Sequence, residues 1–201
     1  MGTPEHKTLY GLVLDGGKSS RMGSDKGQIV YHKSPQRDHL MKLLQKVCDA
    51  VFISLGKGQS LGLWDFQRIE DLDQYQGPLN GILSAHEKHP NVAWLVLACD
   101  LPFVDEQSLL KLVQERDPDK WATAYAHQNG QVPEPLFAIW EVSGLKAVKA
   151  HVDKTQKHSP RDFLMNSYVK LVHPDQDIAL FNANSPADYK WAKQKLQAKG
   201  E

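Results

Sequence analysis

Two periodicities of apolar residues run through the first half of the chain. Short apolar runs are typical of buried strands, whereas apolar positions repeated every three or four residues are typical of helices. Runs of the first kind predict strands at residues 10–14, 50–55, 67–69 and 93–98. The second pattern predicts a helix that begins with Ser34 as N-cap and Pro35, a helix over 79–88 and a helix around Leu109. Strands and helices that alternate in this way favour a mostly parallel sheet covered on both faces.

The second half of the chain has a less regular pattern. Residues 122–126 and 136–139 predict two strands, and the Asn129-Gly130 step between them favours a tight reversal, so an antiparallel excursion is expected. The remaining apolar positions predict helices at 142–151, 161–165 and 186–197 and a strand at 168–172. Asn184 or Ser185 is expected to cap the last helix.

Composition narrows the class of protein. The 201 residues suit a single domain over 1–201, and 24 basic residues balance 24 acidic residues. A neutral chain has no overall field to attract nucleic acid or an anionic membrane, so neither partner is expected and any anion site must be local. Cys48 and Cys99 are far apart in sequence, and neither a membrane-length apolar stretch nor a signal peptide is recognisable. These features predict a reduced, cytoplasmic protein.

The most informative segment is LDGGKSSRMGSDKG at 14–27, directly after the first predicted strand. Its glycines, small hydroxyls and the cations Arg21 and Lys26 suit a polyphosphate, because backbone N–H groups and positive charges must converge on such a ligand. A P-loop would need glycine at position 12, which is leucine, and a Rossmann G-x-G-x-x-G does not fit these glycines. The segment indicates another phosphate-binding fold, the alternative being a purely structural turn.

Further candidate residues follow other predicted strands. Asp100 comes after the strand at 93–98, where it suits Mg²⁺, a cation commonly held by one or two carboxylates and by phosphate oxygens. Asp71 either contacts a nucleotide or belongs to a solvated acidic turn. The stretch Gly77-Pro78-Leu79-Asn80-Gly81 places proline at a helix start, and its bare backbone would also let a flat nucleobase approach.

Four motifs resemble those of the MobA-like nucleotidyltransferases, the molybdenum cofactor guanylyltransferase family. The first is the segment at 14–26, which is similar to the family's L-A-G-G-x-S-x-R-M-G-x-D-K. The others are Gly77-Pro78-Leu79-Asn80-Gly81-Ile82, Cys99-Asp100-Leu101-Pro102-Phe103 and Asn182-Ala183-Asn184-Ser185-Pro186. They occur in the family's order and span nearly the whole chain.

The resemblance implies a three-layer α/β/α Rossmann-like fold that binds GTP and Mg²⁺ over the strand ends. The activity implied is transfer of GMP from GTP to the terminal phosphate of molybdopterin, with in-line attack on the α-phosphate and release of pyrophosphate. The resemblance also implies transient contact with molybdenum cofactor enzymes or insertion proteins.

The resemblance also implies site residues. Lys26, Arg21 and Asp100 are the expected catalytic residues, and Asp100 is also the expected magnesium ligand. Asn182, Asn184 and Arg161 are expected on the pterin side. The expected nucleotide-binding residues are Leu14, Asp15, Gly16, Gly17, Lys26, Asp71, Gly77, Pro78, Leu79, Gly81 and Asp100.

Asp15 is the main departure, since the family pattern has alanine there. A carboxylate about 4 Å from a phosphate charge would repel it by roughly 1 kcal/mol in water. One hypothesis places Asp15 on the base side, where it accepts hydrogen bonds from guanine N1–H and N2–H₂. Ser54-Leu55 likewise stands where the family carries an asparagine near the base, and Glu134-Pro135-Leu136 stands where it carries histidine-proline-threonine.

Two other functions stay open from the sequence. One is a related nucleotidyltransferase that uses CTP or a sugar or alditol phosphate acceptor. The other is a catalytically idle nucleotide-binding module, which the carboxylate at position 15 makes plausible.

Overall fold

The computed structural model describes residues 7–15, 26–59 and 66–198, with the side chain of Lys26 left out. These residues form one seven-stranded sheet in the order β3-β2-β1-β4-β6-β5-β7. Its strands are β1 (Leu9–Leu14), β2 (Ala50–Leu55), β3 (Gln67–Glu70), β4 (Ala93–Ala98), β5 (Ala122–Tyr125), β6 (Phe137–Trp140) and β7 (Val169–Val172). The helices are α1 (Gln36–Leu44), α2 (Pro78–Lys88), α3 (Glu106–Gln114), α4 (Val142–Thr155), α5 (Pro160–Met165) and α6 (Pro186–Ala198).

Most neighbouring strands are parallel. β1 lies between β2 and β4 and is parallel to both, and β3 is parallel to β2. β6 runs antiparallel to β4 and to β5, while β7 is parallel to β5. The predicted mostly parallel sheet with an antiparallel excursion is confirmed.

Helices cover both faces of this sheet. On one face, α1 and α3 pack through Leu40, Leu44, Leu109 and Leu112 against strand residues such as Ile53. Side chains alternate between the faces along a strand, so the intervening strand residues point to the other side. We call these two sides the α1 face and the α2 face.

On the α2 face, α2, α4 and α5 contribute Leu79, Ile82, Val148 and Phe163, which pack with Trp94 of β4. A smaller apolar cluster joins α6 to Tyr31 and Phe103. The three-layer α/β/α arrangement expected from the sequence is therefore confirmed.

Local sequence explains several helix ends. Asp105 accepts a hydrogen bond from the Ser108 N–H in a capping box that starts α3, and the Ser159 side chain accepts from the Asp162 N–H at the start of α5. The expectation for α1 is wrong by one residue. The N-cap is Pro35, and Ser34 precedes the helix. The fixed φ of proline suits the residue that leads into the first turn, although proline has no side chain that could accept a capping hydrogen bond.

The turn at Asn129-Gly130 forms, with the Gly130 N–H donating to His127 O across 2.8 Å. It lies within a longer connection over 126–136, so it does not join β5 and β6 as a tight hairpin. Among the described residues, no helix is long and apolar enough to cross a bilayer.

Candidate active site

The carboxyl ends of four parallel strands meet at one edge of the sheet. Leu14, the last residue of β1, is paired in register with Ser54 of β2 on one side and with Ala98 of β4 on the other. Asp71 follows β3, and its N–H donates to Leu55 O across 2.9 Å. Ligands of open α/β sheets bind beyond this edge.

Asp71 is held by two neighbouring side chains. Ser54 Oγ donates a hydrogen bond to Asp71 Oδ1 across 2.5 Å, and Asn80 in the first turn of α2 provides a second side-chain hydrogen bond. Burial raises the pKa of Asp71, while these two hydrogen bonds act in the opposite direction. Asn80 Oδ1 in turn accepts from the Tyr75 N–H across 3.2 Å. The carboxylate is therefore fixed in orientation.

Two glycines shape the backbone beside Asp71. Gly77 precedes α2 with φ of 60°, a conformation that favours glycine. Gly81 lies so close to β1 and β2 that a methyl group there would be 2.4 Å from Ser54 Oγ and 2.8 Å from Leu14 Cδ2. The expected nucleotide residues Leu14, Asp71 and Gly81 are thus brought together on the α2 face, and Pro78 and Leu79 form the first turn between the glycines.

Asp100 lies one strand away from Leu14, in the loop after β4. Its carbonyl oxygen accepts from the Ala183 N–H across 2.8 Å, which places the segment containing Asn182 and Asn184 against this loop. Burial and the nearby charge of Asp100 raise the pKa of Tyr31, so that phenol stays protonated. In the described part of the chain, no group of three or more His, Cys, Asp or Glu could hold a metal by itself. A single carboxylate fits Mg²⁺ that takes its other oxygen ligands from phosphates and water.

Asp15 lies on the opposite side of the sheet from Asp71. Its carboxylate is buried and forms an ion pair with Arg37 of α1, and the Cys99 thiol donates to Asp15 Oδ1 across 3.5 Å. Burial and the adjacent carboxylate raise the pKa of Cys99, which keeps the thiol protonated. The hypothesis that Asp15 binds a guanine on the base side does not fit this placement, because the side chain points to the α1 face.

The expected pterin-side residues are not gathered in one cluster. Asn182 Nδ2 donates to Leu180 O across 3.1 Å, while Arg161 lies on α5, where its Nη2 pairs with Glu134 Oε2 at 3.0 Å. Ser185, one of the two expected caps, accepts from the Asp188 N–H and begins α6. Asn184 is exposed beside it.

Gly16, Gly17 and Arg21 lie outside the described residues, as does the side chain of Lys26. The Lys26 backbone belongs to a short 3₁₀ turn, Lys26–Gln28, near the start of α1.

Sequence reasoning missed three contributors to this edge. They are Arg37 of α1, which nothing in its local sequence distinguishes, and Ser54 of β2 and Asn80 of α2, to which sequence reasoning assigned no role. Two of them had a signal, since Asn80 stands inside the Gly77–Gly81 segment and Ser54 stands where the family pattern has an asparagine near the base. Arg37 and Ser54 find their partners only through pairing distant in sequence.

Residues 11–171 match the family model described as the MobA-like NTP transferase domain. The chain belongs to this family. It is therefore an enzyme, a MobA-like nucleotidyltransferase, and the edge carrying Asp71 and Asp100 is its candidate active site.

Curated relatives cover most of this MobA-like chain. It is 36% identical over 183 residues to a molybdenum cofactor biosynthesis bifunctional protein of Synechocystis, an alignment that covers 90% of the chain but 52% of the relative. It thus spans about half the length of that protein. A molybdenum cofactor guanylyltransferase of Pseudomonas putida is 29% identical over 182 residues, covering 87% of the chain and 92% of the relative.

A solved structure supports the fold of this MobA-like enzyme. Molybdopterin-guanine dinucleotide biosynthesis protein A from Archaeoglobus fulgidus superposes with a TM-score of 0.76 at 20% sequence identity. The match covers 94% of the chain and 99% of the solved chain.

Proposed function

We propose that this enzyme transfers GMP from GTP to the terminal phosphate of molybdopterin and releases pyrophosphate. The observation that carries the proposal is the oriented Asp71 carboxylate beside the bare backbone of Gly77 and Gly81, on the edge that also bears Asp100. Two names support the choice of substrates: the Pseudomonas putida relative is a molybdenum cofactor guanylyltransferase, and the Synechocystis relative is a molybdenum cofactor biosynthesis protein.

The part of the site proposed for the guanosine lies on the α2 face. A carboxylate is an acceptor, and guanine offers both N1–H and N2–H₂ on one edge, whereas cytosine and adenine each offer one amino group there. Asp71 and the backbone of Gly77, Pro78, Leu79 and Gly81 would bind the guanosine, with Leu14 against its apolar surface. Ser54 and Asn80 hold Asp71 ready for that contact.

The part of the site proposed for the phosphates consists of Asp100 and the segment after β1. Asp100 would hold Mg²⁺, which when bound neutralises phosphate charge and orients the oxygens around the α-phosphorus. Lys26 and Arg21, with the backbone of Gly16 and Gly17, would bind the β- and γ-phosphates. We propose these roles from the motif that carries them.

The part of the site proposed for molybdopterin, the acceptor, lies beside Asp100. The Ala183–Asp100 hydrogen bond holds Asn182 and Asn184 next to the metal-binding loop, where amide side chains suit the polar edge of a pterin. Arg161 would contact this side only if it exchanged Glu134 for a substrate anion, since the two residues form an ion pair here.

The chemical step needs no covalent enzyme intermediate. An ionised oxygen of the molybdopterin phosphate forms a bond to the α-phosphorus as the bond from that phosphorus to the bridging oxygen breaks. Pyrophosphate leaves with the electron pair of the broken bond. The enzyme contributes positioning and charge neutralisation, which carry most of the rate enhancement in such transfers.

The carboxylate at position 15 was the reason for considering a catalytically idle nucleotide-binding module. The ion pair of Asp15 with Arg37 removes that reason. The charge of Asp15 is balanced by Arg37 on the α1 face, so it is not a free negative charge directed at a triphosphate. Electrostatic repulsion between the Asp15 carboxylate and the phosphates of GTP is therefore not expected.

The test is pyrophosphate release from each nucleotide. Purified enzyme is incubated with Mg²⁺, molybdopterin and GTP, CTP or ATP in turn. Release that requires both GTP and molybdopterin supports the proposal. Release with CTP in place of GTP, or silence despite GTP binding, would contradict it in favour of a cytidylyltransferase or a binding module, respectively.

A further inference from the structure

Asp15 and Arg37 form a buried ion pair between the end of β1 and the first turn of α1. Their side chains are only 1% and 6% exposed, respectively, and the Asp15 N–H donates to Ser54 O across 3.1 Å. Asp15 is thus fixed by β2 through its backbone and by α1 through its side chain. Two opposite charges in an interior position depend on one another, because either one alone would lack solvation.

The same turn of α1 holds two other segments of the nucleotide edge. The Gln36 N–H donates to Ile29 O across 2.9 Å, and Gln36 Nε2 donates to Leu101 O, also across 2.9 Å. One link reaches the segment that begins with the Lys26–Gln28 turn, and the other reaches the loop that contains Asp100. Gln36 and Arg37 therefore tie α1 to three strand-end segments at once.

The Asp15 carboxylate itself contacts two of these segments. A methyl group on Gly27 would lie 1.9 Å from Asp15 Oδ1, so the carboxylate occupies the space that a side chain at position 27 would need. On the other side, Cys99 donates its thiol hydrogen to Asp15 Oδ1. Gly27 follows Lys26 and Cys99 precedes Asp100, so this carboxylate lies between the two groups proposed for the phosphates and the metal.

We propose that Asp15 and Arg37 are a positioning pair in which each balances the buried charge of the other, and that this balance keeps the Lys26–Gln28 turn and the Asp100 loop at their spacing. This proposal rests on the proposed function of that edge. Neither residue touches the reacting atoms. Removing one charge leaves the other buried without its partner, and the turn and loop packed around it shift to bring it water or a new partner. Phosphoryl transfer by positioning is sensitive to shifts of about 1 Å.

A double-mutant cycle tests the pair. Asp15→Ala and Arg37→Met each remove one charge, and the double variant removes both while leaving apolar side chains. We expect each single variant to lower kcat/KM for GTP about tenfold or more, and the double variant to recover to within about threefold of the wild type. Asp15→Asn replaces Asp15→Ala if the latter does not fold, since it keeps the shape of the side chain.

Arg116→Met is the matched control. Arg116 pairs with buried Glu141 at 2.7 Å and donates to Lys7 O, which precedes the amino end of β1 and so lies far from the strand ends that carry Asp71 and Asp100. Breaking this pair lowers the melting temperature but leaves kcat/KM for GTP unchanged in the folded enzyme. Equal losses of kcat/KM in the control, unchanged kcat/KM in the single variants, or a double variant no better than the worse single would each overturn the proposal.

Amide hydrogen exchange separates this inference from the proposed function. We expect faster exchange at 26–29 and 99–101 in both single variants, and not in Arg116→Met or the double variant, whichever nucleotide the wild type uses. Unchanged exchange in those segments overturns the positioning pair even if GTP is the substrate. A wild type that uses CTP instead contradicts the proposed function alone, and the cycle is then measured with CTP.

Discussion

The hydroxyl of Ser54 donates to Asp71 Oδ1 across 2.5 Å, joining the end of β2 to the residue after β3. This contact orients an acceptor at the place where the proposed guanine edge binds. It also explains why position 81 is glycine, because Ser54 Oγ occupies the space beside it.

Replacing Ser54 by alanine tests the orientation of Asp71. Without the hydroxyl, the carboxylate loses one hydrogen bond, worth about 0.5–1.5 kcal/mol, and we expect KM for GTP to rise up to about tenfold with kcat nearly unchanged. Steady-state pyrophosphate release measures both constants. Ser108→Ala, which breaks the capping box of α3, is the control that lowers stability without changing KM. A Ser54→Ala enzyme with the wild-type KM would show that Asp71 does not depend on this hydroxyl.

Replacing Asp100 by alanine tests the proposed metal ligand. The backbone hydrogen bond from Ala183 to Asp100 O survives the change, so the fold is expected to persist while kcat falls by about a hundredfold or more. Asp105→Ala removes a nearby carboxylate that only caps α3, and it is expected to cost about 1 kcal/mol of stability with kcat retained. Near-normal turnover by Asp100→Ala would refute the assignment.

Replacing Gly81 by alanine tests the close approach of α2 to β1 and β2. The added methyl group would meet Ser54 Oγ and Leu14 Cδ2, so α2 must shift away from the nucleotide edge. We expect weaker GTP binding, measured by calorimetry, and a lower melting temperature. At Gly56 the nearest atom to an added methyl group is 3.6 Å away, and Gly56→Ala should therefore bind GTP as the wild type does. Equal affinity in the two variants would contradict the geometry.

His39 predicts a pH dependence of stability. Its ring stacks on His32 with centroids 3.7 Å apart, and burial, followed by the charge of His32, lowers the pKa of His39 from 6.5 to about 4. Between these values the unfolded chain binds a proton that the folded chain does not, so stability falls as pH drops from 6.5 towards 4.

Urea unfolding at pH 7.5 and 5.0 measures this effect. His39→Phe keeps a flat ring but cannot titrate, and we expect the wild type to lose about 1 kcal/mol more than this variant on acidification, since solvent screens part of the full effect. Burial also lowers the pKa of His86 and His89, but both proteins contain these residues and their contributions cancel in the difference. Parallel losses in the two proteins would show that His39 does not titrate in this way.

The strands and helices of this fold could be predicted because they rest on local patterns. The run Ala93–Ala98 is apolar on both sides, as a strand between two helical layers must be, and the alternation of elements fixes the parallel sheet. Asp71 and Asp100 follow β3 and β4, and Gly81 belongs to a motif at the start of α2, so the resemblance to the family predicted all three as site residues. The structure places Asp71 and Gly81 beside Ser54, and Asp100 at the same edge.

Contacts between distant segments could not be predicted. Nothing near Asp15 in the sequence identifies Arg37 as its partner, and the pair forms only because α1 packs on the face to which Asp15 points. The sequence therefore suggested a negative charge near phosphate, and the structure shows a balanced pair. Ser54 is a similar case, since its register next to Leu14 and its reach to Asp71 depend on how β1, β2 and β3 assemble.

The fate of each phosphate of GTP is the decisive test of guanylyl transfer to molybdopterin. The enzyme is incubated with Mg²⁺, molybdopterin and GTP carrying ³²P at the α- or the γ-position. Guanylyl transfer moves the α-label into a pterin dinucleotide, and the γ-label leaves as pyrophosphate. A γ-label released as orthophosphate, or an α-label that never joins the pterin, would contradict it.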